Sequence, residues 1–249
     1  GGSVIDSCKA IGYGVANPWT DVWNFFLKTE VPKDCLPIGA IPTIAASGSE
    51  MSGSCVITNE DGWLKRGSTR SDLCRPKFAL LNPRLTYTLP QYQTESGCVD
   101  ILMHTMERYF VNLETMEITD SISESLMQTV IYNARILMKE PGNYNARAEV
   151  MWAGSLSHNG LTGCGTGGGD WACHQLEHEL GGLYDVAHGA GLAAIWGSWA
   201  RYVYLENPER FAQFATNVFD IPCYVDFEKT ALAGIEAMED FFRSIKMPT

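Results

Sequence analysis

Residues 163–189 read GCGTGGGDWACHQLEHELGGLYDVAHG, and the fold turns on which half of that stretch is structural. Gly163, Gly165 and Gly168 have the spacing of a dinucleotide-binding glycine loop, whereas His174, His178 and His188 have the character of metal ligands. A phosphate-cradling loop needs a strand before it and a helix after it, because the pyrophosphate rests on amides at the helix N-terminus. The preceding residues 149–163, EVMWAGSLSHNGLTG, read as helix and turn, so the strand is missing. The glycines are therefore expected to form a loop between helices, with Asp170 capping a helix that carries Trp171 to Leu180. His174 and His178 are four apart and point the same way on that helix. Gly181 and Gly182 are expected to break it and let the chain bring His188 back.

Upstream, CVDILMHTMERY at 98–109 puts Asp100 and His104 four apart on another helical segment, again on one face. Two facing helices that each offer a pair of metal-ligand type make a site natural to a helical domain. Imidazole nitrogens with one carboxylate suit Fe²⁺, Zn²⁺, Co²⁺ or Ni²⁺, and the lack of cysteine in the set argues against a closed structural zinc site. The same spacings also suit an ordinary helix-surface pair beside histidines that cap and pack.

Helical periodicity continues through the second half. In DSISESLMQTVIYNARILMKEPG (120–142), Ile122, Leu126, Val130, Ala134 and Leu137 recur on one face. Ser121 with Glu124 reads as a capping box, and Pro141 with Gly142 stops the run. Further helices are expected from about Asn145, after Gly189 and after Asn207-Pro208. A last one places Leu232, Ile235, Met238, Phe242 and Ile245 on one stripe. Before about Thr88 the texture differs, with short apolar runs at 36–45, 54–62 and 77–83 bounded by glycine, proline and charged turns, which read as buried strands. The glycine-serine start GGSVIDSCKAIG and the small hydroxyl run TIAASGSE (43–50) are both compatible with a phosphate or cofactor border, and equally with a helix cap and a turn.

Composition narrows the partners. The 249 residues are 45% hydrophobic, enough for a sizeable core, and 18 basic against 29 acidic residues give a net charge of −11. That field repels nucleic acid and anionic membrane surfaces, so a small-molecule partner is expected, with no nucleic acid and no membrane. No apolar run approaches the roughly 18 residues of a membrane span. The eight cysteines are scattered without a CxxC pair, which suits reduced thiols in a soluble cytoplasmic chain. Three of the five histidines fall between positions 174 and 188.

Taken together, GGSVIDSCKAI (1–11), PTIAASGSEM (42–51), ITNEDGWLKRG (57–67), RPKFALLNPRLT (75–86), GCVDILMHTMERYF (97–110) and HQLEHELGGLYDVAHGAGLA (174–193) resemble the iron-containing, group III alcohol dehydrogenases, in the branch of bacterial butanol dehydrogenases. The resemblance implies an α/β part followed by an all-α part. The first, over residues 1–88, would be the remainder of a Rossmann-like dinucleotide-binding domain. The second, over 89–249, would be a C-terminally truncated helical metal-binding domain of the architecture shared with dehydroquinate synthase. It further implies metal ligands at Asp100, His104, His174 and His188, holding Fe²⁺ or Zn²⁺, and a proton relay at His178. Gly1, Gly2, Ser3 and Asp6 match the family's pyrophosphate loop, while Thr43, Ser47 and Lys65 match contacts to the rest of NAD or NADP. The implied reaction is interconversion of a short-chain aldehyde and a primary alcohol such as butanal and butanol, in a homodimer. A polyol (glycerol-type) dehydrogenase, a dehydroquinate synthase-like lyase and a non-catalytic metal-binding fragment are the alternatives. The family's loop has three glycines and follows a first βαβ portion, so a chain that starts within the loop and stops at SIKMPT is expected to be an internal fragment.

Overall fold

Helix α1 (Gly2–Ala16) opens the chain in this computed structural model, which describes residues 1–68, 71–112, 116–223 and 225–249. Gly1 occupies its N-cap, so Ser3 lies inside the first turn. One face of α1 buries Ile5, Lys9, Ala10 and Tyr13, and the opposite face exposes the apolar stripe Val4, Ile11 and Val15. Tyr13 and Ala10 join Phe25 and Phe26 of α2 (Trp23–Phe26), with Cys55 and Cys74, in a small apolar cluster.

Four short strands follow among the described residues. β1 (Gly39–Ala40) pairs in parallel with β4 (Phe78–Ala79), and β2 (Val56–Asn59) pairs antiparallel with β3 (Leu64–Gly67) as a hairpin. The apolar runs predicted as buried strands therefore yield only two to four residues of strand each, half-buried or exposed apart from Ala40. Pairing explains the difference. Each strand has a single neighbour, and Pro37 and Pro42 flank β1 without an N–H to extend the ladder.

Among the described residues the second half is helical, with seven α-helices: α3 (Gln91–Tyr109), α4 (Glu117–Leu137), α5 (Tyr144–His158), α6 (Ala172–Tyr184), α7 (His188–Val203), α8 (Pro208–Phe219) and α9 (Phe227–Ser244). The α/β-then-helical order is as the sequence reads. α3 is buried on every side from Thr94 to Tyr109, with α4, α5 and α7 packed around it, so its polar Glu95, Asp100, His104, Glu107 and Arg108 are buried along with its apolar residues. Its Ile101, Leu102, Met103 and Met106 share one core with Trp196 of α7, Phe211 and Phe214 of α8, and Phe241 and Phe242 of α9.

Three local expectations are corrected. Ser121 and Glu124 do not start a helix, because α4 begins four residues earlier. Acidic Glu117 and Asp120 occupy its first turn, and Asp120 is held by Arg210. Leu232 is half-exposed, and Ala231 takes its place in the stripe with Ile235, Met238 and Phe242. Gly181 and Gly182 do not end α6, which runs on to Tyr184 and stops at left-handed Asp185. They instead let β3 lie against the helix: a Cβ on Gly182 would sit 2.6 Å from the Trp63 carbonyl oxygen, and one on Gly181 would sit 2.7 Å from Lys65 Nζ.

One buried carboxylate carries a stability prediction. Glu95 of α3 is 1% exposed, neither of its oxygens has a hydrogen-bond partner, and burial raises its pKa to about 7 against the opposing pull of Arg147. A raised folded-state pKa means a contribution fully present below about 4.5, the ordinary value, and lost as pH rises through about 7. Glu95→Gln is therefore expected to match the wild type near pH 4.5 and to be more stable by about 2–3 kcal/mol at pH 8. Urea unfolding at both pH values checks it, and an unchanged difference between them would refute it.

Candidate metal centre

The centre assembles from α3, α6 and the first residue of α7. On α3, Asp100, His104 and Glu107 follow one another at helical spacing, so one face carries two candidate ligands and a further carboxylate. The segment 163–171 then folds over the end of α3: the Asp170 amide donates to the Glu107 carbonyl at 2.8 Å, and Trp171 Nε1 donates to the Gly168 carbonyl at 2.8 Å. Asp170 also accepts from the Ala172 amide at 2.9 Å, close to its expected capping role. Helix α5 and a turn, rather than a strand, run directly into these glycines, so they lack the strand a nucleotide loop needs. Their course delivers His174 to α3.

Asp100 lies at the middle of the group. Its Oδ1 is 3.2 Å from His104 Nδ1, 3.7 Å from His174 Nε2 and 3.7 Å from His188 Nε2. Asp100, His174 and His188 each place one ligand atom within 4.8 Å of the others. His104 falls outside that tightest trio, though its ring centroid is 4.6 Å from that of His174. Asp100 Oδ1, His104 Nδ1 and His174 Nε2 are all buried without a hydrogen-bond partner. Three such atoms facing one another leave desolvation uncompensated, and a divalent cation between them would compensate it. The donor set of imidazoles and a carboxylate fits iron or zinc.

Two carboxylates stand behind the imidazoles. Glu107 bonds His174 Nδ1 and also accepts from the His174 amide at 3.1 Å. Glu177 bonds His188 Nδ1. Holding each Nδ1–H on a carboxylate turns Nε2 toward Asp100 with its lone pair free, the usual support of a metal-bound histidine. Electrostatics follow from the same contacts. Burial alone would lower the His174 pKa, but Glu107 and Asp100 outweigh it and raise it to about 9. In the metal-free chain that proton offsets the two carboxylates, and a cation would displace it. Burial lowers His188 and His178 to about 3, with Lys65 adding to the effect on both, so these rings are neutral at ordinary pH. His104 is pushed well below its usual value by burial, then by neighbouring His158 and His174.

A cavity of about 450 Å³ joins the histidines to the chain's first helix. Gly1, Gly2, Ser3, Asp6, Ser47 and Lys65 line it on one side, and Asp100, His104, His174, His178 and His188 on the other. The opening amides of α1 have no helical partner, so they are available to an anion. Thr43 is exposed and does not line the cavity. Asp6 does, but its carboxylate is engaged internally, accepting from Ser49 Oγ and from the Val56 amide at 2.9 Å. It ties α1 to β2. Lys9, fully buried behind it, donates to the carbonyls of Ser49, Ser52 and Ser54 and fixes the same wall.

Sequence reasoning missed three residues. Glu107 and Glu177 each follow a candidate ligand by three positions, a signal that was present at His104 and His174. His158, which brings all five histidines to one place, has its ring centroid 4.1 Å from that of His104 and Nδ1 3.2 Å from Arg108 Nη2. A lone histidine at a helix end carries no spacing signal.

Comparison with known proteins agrees across the chain. Residues 1–83 match the iron-containing alcohol dehydrogenase family model, and residues 94–249 match the C-terminal model of the Fe-containing alcohol dehydrogenase family. The chain is 40% identical over 249 residues to probable NADH-dependent butanol dehydrogenase 1 of Bacillus subtilis, covering 100% of this chain and 64% of that protein. It is 34% identical over 252 residues to the NADPH-dependent aldehyde reductase YqhD of Escherichia coli, again covering 100% of this chain and 64% of the relative. The crystal structure of NADH-dependent butanol dehydrogenase A from Thermotoga maritima superposes with a TM-score of 0.96 at 38% identity, covering 100% of this chain and 61% of that one. The chain thus spans slightly under two thirds of the length of these relatives.

Proposed function

The chain belongs to the iron-containing alcohol dehydrogenase family, and from that premise we propose that the protein interconverts a short-chain aldehyde, such as butanal, and its primary alcohol with a nicotinamide cofactor. The observation that carries this reading is the set of buried, unpartnered atoms on Asp100, His104 and His174, facing the same cavity as the start of α1. In this reading residues 1–88 form the nucleotide-binding part and 89–249 the metal-binding part, in a cytoplasmic homodimer. Two exposed cysteines outside any disulfide, Cys8 and Cys164, suit a reducing compartment. Among the described residues no helix is long and apolar enough to cross a membrane.

Asp100, His104, His174 and His188 would hold Fe²⁺ or Zn²⁺. When bound, the cation supplies Lewis acidity toward a substrate oxygen, and NAD or NADP takes up or supplies the hydride. The protein's own groups do the rest. Glu107 and Glu177 keep His174 and His188 in the tautomer that leaves Nε2 free. The amides of Gly2 and Ser3 would receive the pyrophosphate, with Ser47 and Lys65 beside the remainder of the nucleotide. His178 is half-buried on the cavity wall, its ring centroid 6.0 Å from that of His188. With a pKa lowered to about 3, chiefly by burial, it would pass a proton by accepting at one ring nitrogen while releasing from the other, rather than by storing charge.

Elemental analysis of protein purified without added metal, together with NADH and NADPH oxidation by butanal and by glyceraldehyde, tests the proposal. Bound iron or zinc with butanal turnover is expected, and neither metal nor turnover would sink it. His178→Ala is expected to reduce turnover about 10²-fold with metal content intact, and full turnover across pH would remove the relay role. A polyol dehydrogenase is the second reading, favoured by Gln93, Ser96 and Gln175 on the cavity wall; preference for glyceraldehyde over butanal would select it.

A further inference from the structure

One carboxylate oxygen serves both sides of the cavity. Glu177 is fully buried on α6, and its Oε2 bonds His188 Nδ1 and accepts from Lys65 Nζ of β3 at 3.0 Å. Lys65 Nζ is itself 3.4 Å from His188 Nδ1, so the three groups form a closed triangle. The other oxygen, Oε1, is buried without a partner, leaving Oε2 as the atom through which the side chain acts. The surrounding chain makes room for it: a Cβ on Gly191 of α7 would sit 2.9 Å from Glu177 Cγ, and one on Gly181 would sit 2.8 Å from Oε1. A buried carboxylate in that space is costly unless it is held by charged or strongly donating partners. Lys65 and His188 are those partners, and they come from the β2–β3 hairpin and the start of α7.

We infer that Glu177 is a positioning residue that couples the nucleotide-facing wall to the metal centre, orienting His188 Nε2 while fixing Lys65 at the cavity edge. The inference rests on the reading of His188 as a metal ligand. Glu107 does the equivalent for His174 alone, since no lysine reaches it among the described residues. Glu177 differs in spanning two elements, so losing its charge disturbs ligand orientation and the hairpin together. A glutamine of the same size presents one accepting oxygen and one donating amide. Its amide oxygen can still accept from both donors, but without the negative charge it holds the ammonium and the imidazole N–H more weakly and no longer raises the basicity of His188 Nε2.

The test uses the full chain with Co²⁺ as the metal probe, read by chelator competition and by visible absorption of the bound ion. Glu177→Gln is expected to weaken Co²⁺ binding by roughly 10–100-fold and to change the absorption spectrum, with far-ultraviolet circular dichroism unchanged. Glu177→Asp keeps the charge and is expected to recover part of the lost affinity. Lys65→Met removes the cation through which Glu177 reaches the hairpin and is expected to weaken Co²⁺ binding by about three- to tenfold, less than Glu177→Gln; wild-type Co²⁺ affinity in Lys65→Met would overturn the coupling. Wild-type affinity and spectrum in Glu177→Gln would overturn the inference while leaving the metal centre standing. If Glu177→Gln fails to fold, Glu177→Asp decides: a weakened affinity supports the role and a wild-type affinity overturns it. Wild-type protein that binds no Co²⁺ would overturn the underlying reading, and this inference with it.

Discussion

Replacing Asp100 by alanine is expected to leave the chain folded and to abolish its stabilisation by metal. Asp100 Oδ1 is the atom nearest His104, His174 and His188 at once, and it has no hydrogen bond of its own. Removing it therefore strands no donor. His174 keeps its bond to Glu107, and alanine suits the interior of α3 better than aspartate. What disappears is the only carboxylate in the cluster of candidate ligands. For the wild type, metal at about a thousand times its dissociation constant adds about 4 kcal/mol to stability, because the ion binds the folded state alone. In Asp100→Ala that increment is expected to fall below about 1 kcal/mol, and aldehyde reduction by NAD(P)H to fall on the order of 10³-fold. Melting with and without Zn²⁺ separates the two effects. A variant that gains as much from Zn²⁺ as the wild type would sink the ligand assignment, and one that is unfolded without metal would show that Asp100 holds the helices together instead.

Arg210→Ala is expected to cost about 3–5 kcal/mol of stability. Its guanidinium grips Asp120 with two bonds of 2.5 and 2.6 Å, donates through Nε to the Tyr109 carbonyl at 2.8 Å, and lies 3.7 Å from the centre of the Tyr109 ring. One residue of α8 thereby joins the C-terminus of α3 to the first turn of α4. Asp120 is almost wholly buried, so truncating Arg210 leaves a carboxylate without its cation. Burial pushes the Asp120 pKa up, but Arg210 and Gln213 outweigh it and hold it below its ordinary 3.8. A depressed folded-state value stabilises above the unfolded pKa and is lost as pH falls through the folded one, so the wild type is expected to lose this contribution only in strong acid. Arg210→Ala with Asp120→Ala together should recover part of the single loss, because the stranded charge is gone. Urea unfolding of the two single variants and the double variant measures the coupling. A loss under about 1 kcal/mol in Arg210→Ala would show that the network contributes little.

Much of this was legible locally. The order of the elements, the i, i+4 pairing of Asp100 with His104 and of His174 with His178, and the stop at Pro141-Gly142 all follow from spacing within one or two helical turns. Errors arose where a residue answers to a distant neighbour. Gly181 and Gly182 look like a helix end but serve the approach of β3, more than a hundred positions earlier. Ser121 and Glu124 look like a cap, yet Glu124 accepts from Tyr109 Oη at 2.8 Å within a continuous helix. The short apolar runs of the first half look like buried strands, but a strand is buried only by neighbours on its edges and faces, which its own residues do not specify.

The sequence by itself determined which residues have the donor chemistry of cation ligands and which helices carry them, because ligand type and helical periodicity are properties of a few consecutive side chains. The tertiary structure alone decided that α3, α6 and α7 meet at Asp100, and that Glu107 and Glu177 stand behind His174 and His188. It also decided that the start of α1 and Lys65 close the same cavity. The reason is physical. Burial and pairing are set by what packs against a side chain, and here the partners lie as much as 123 residues away along the chain.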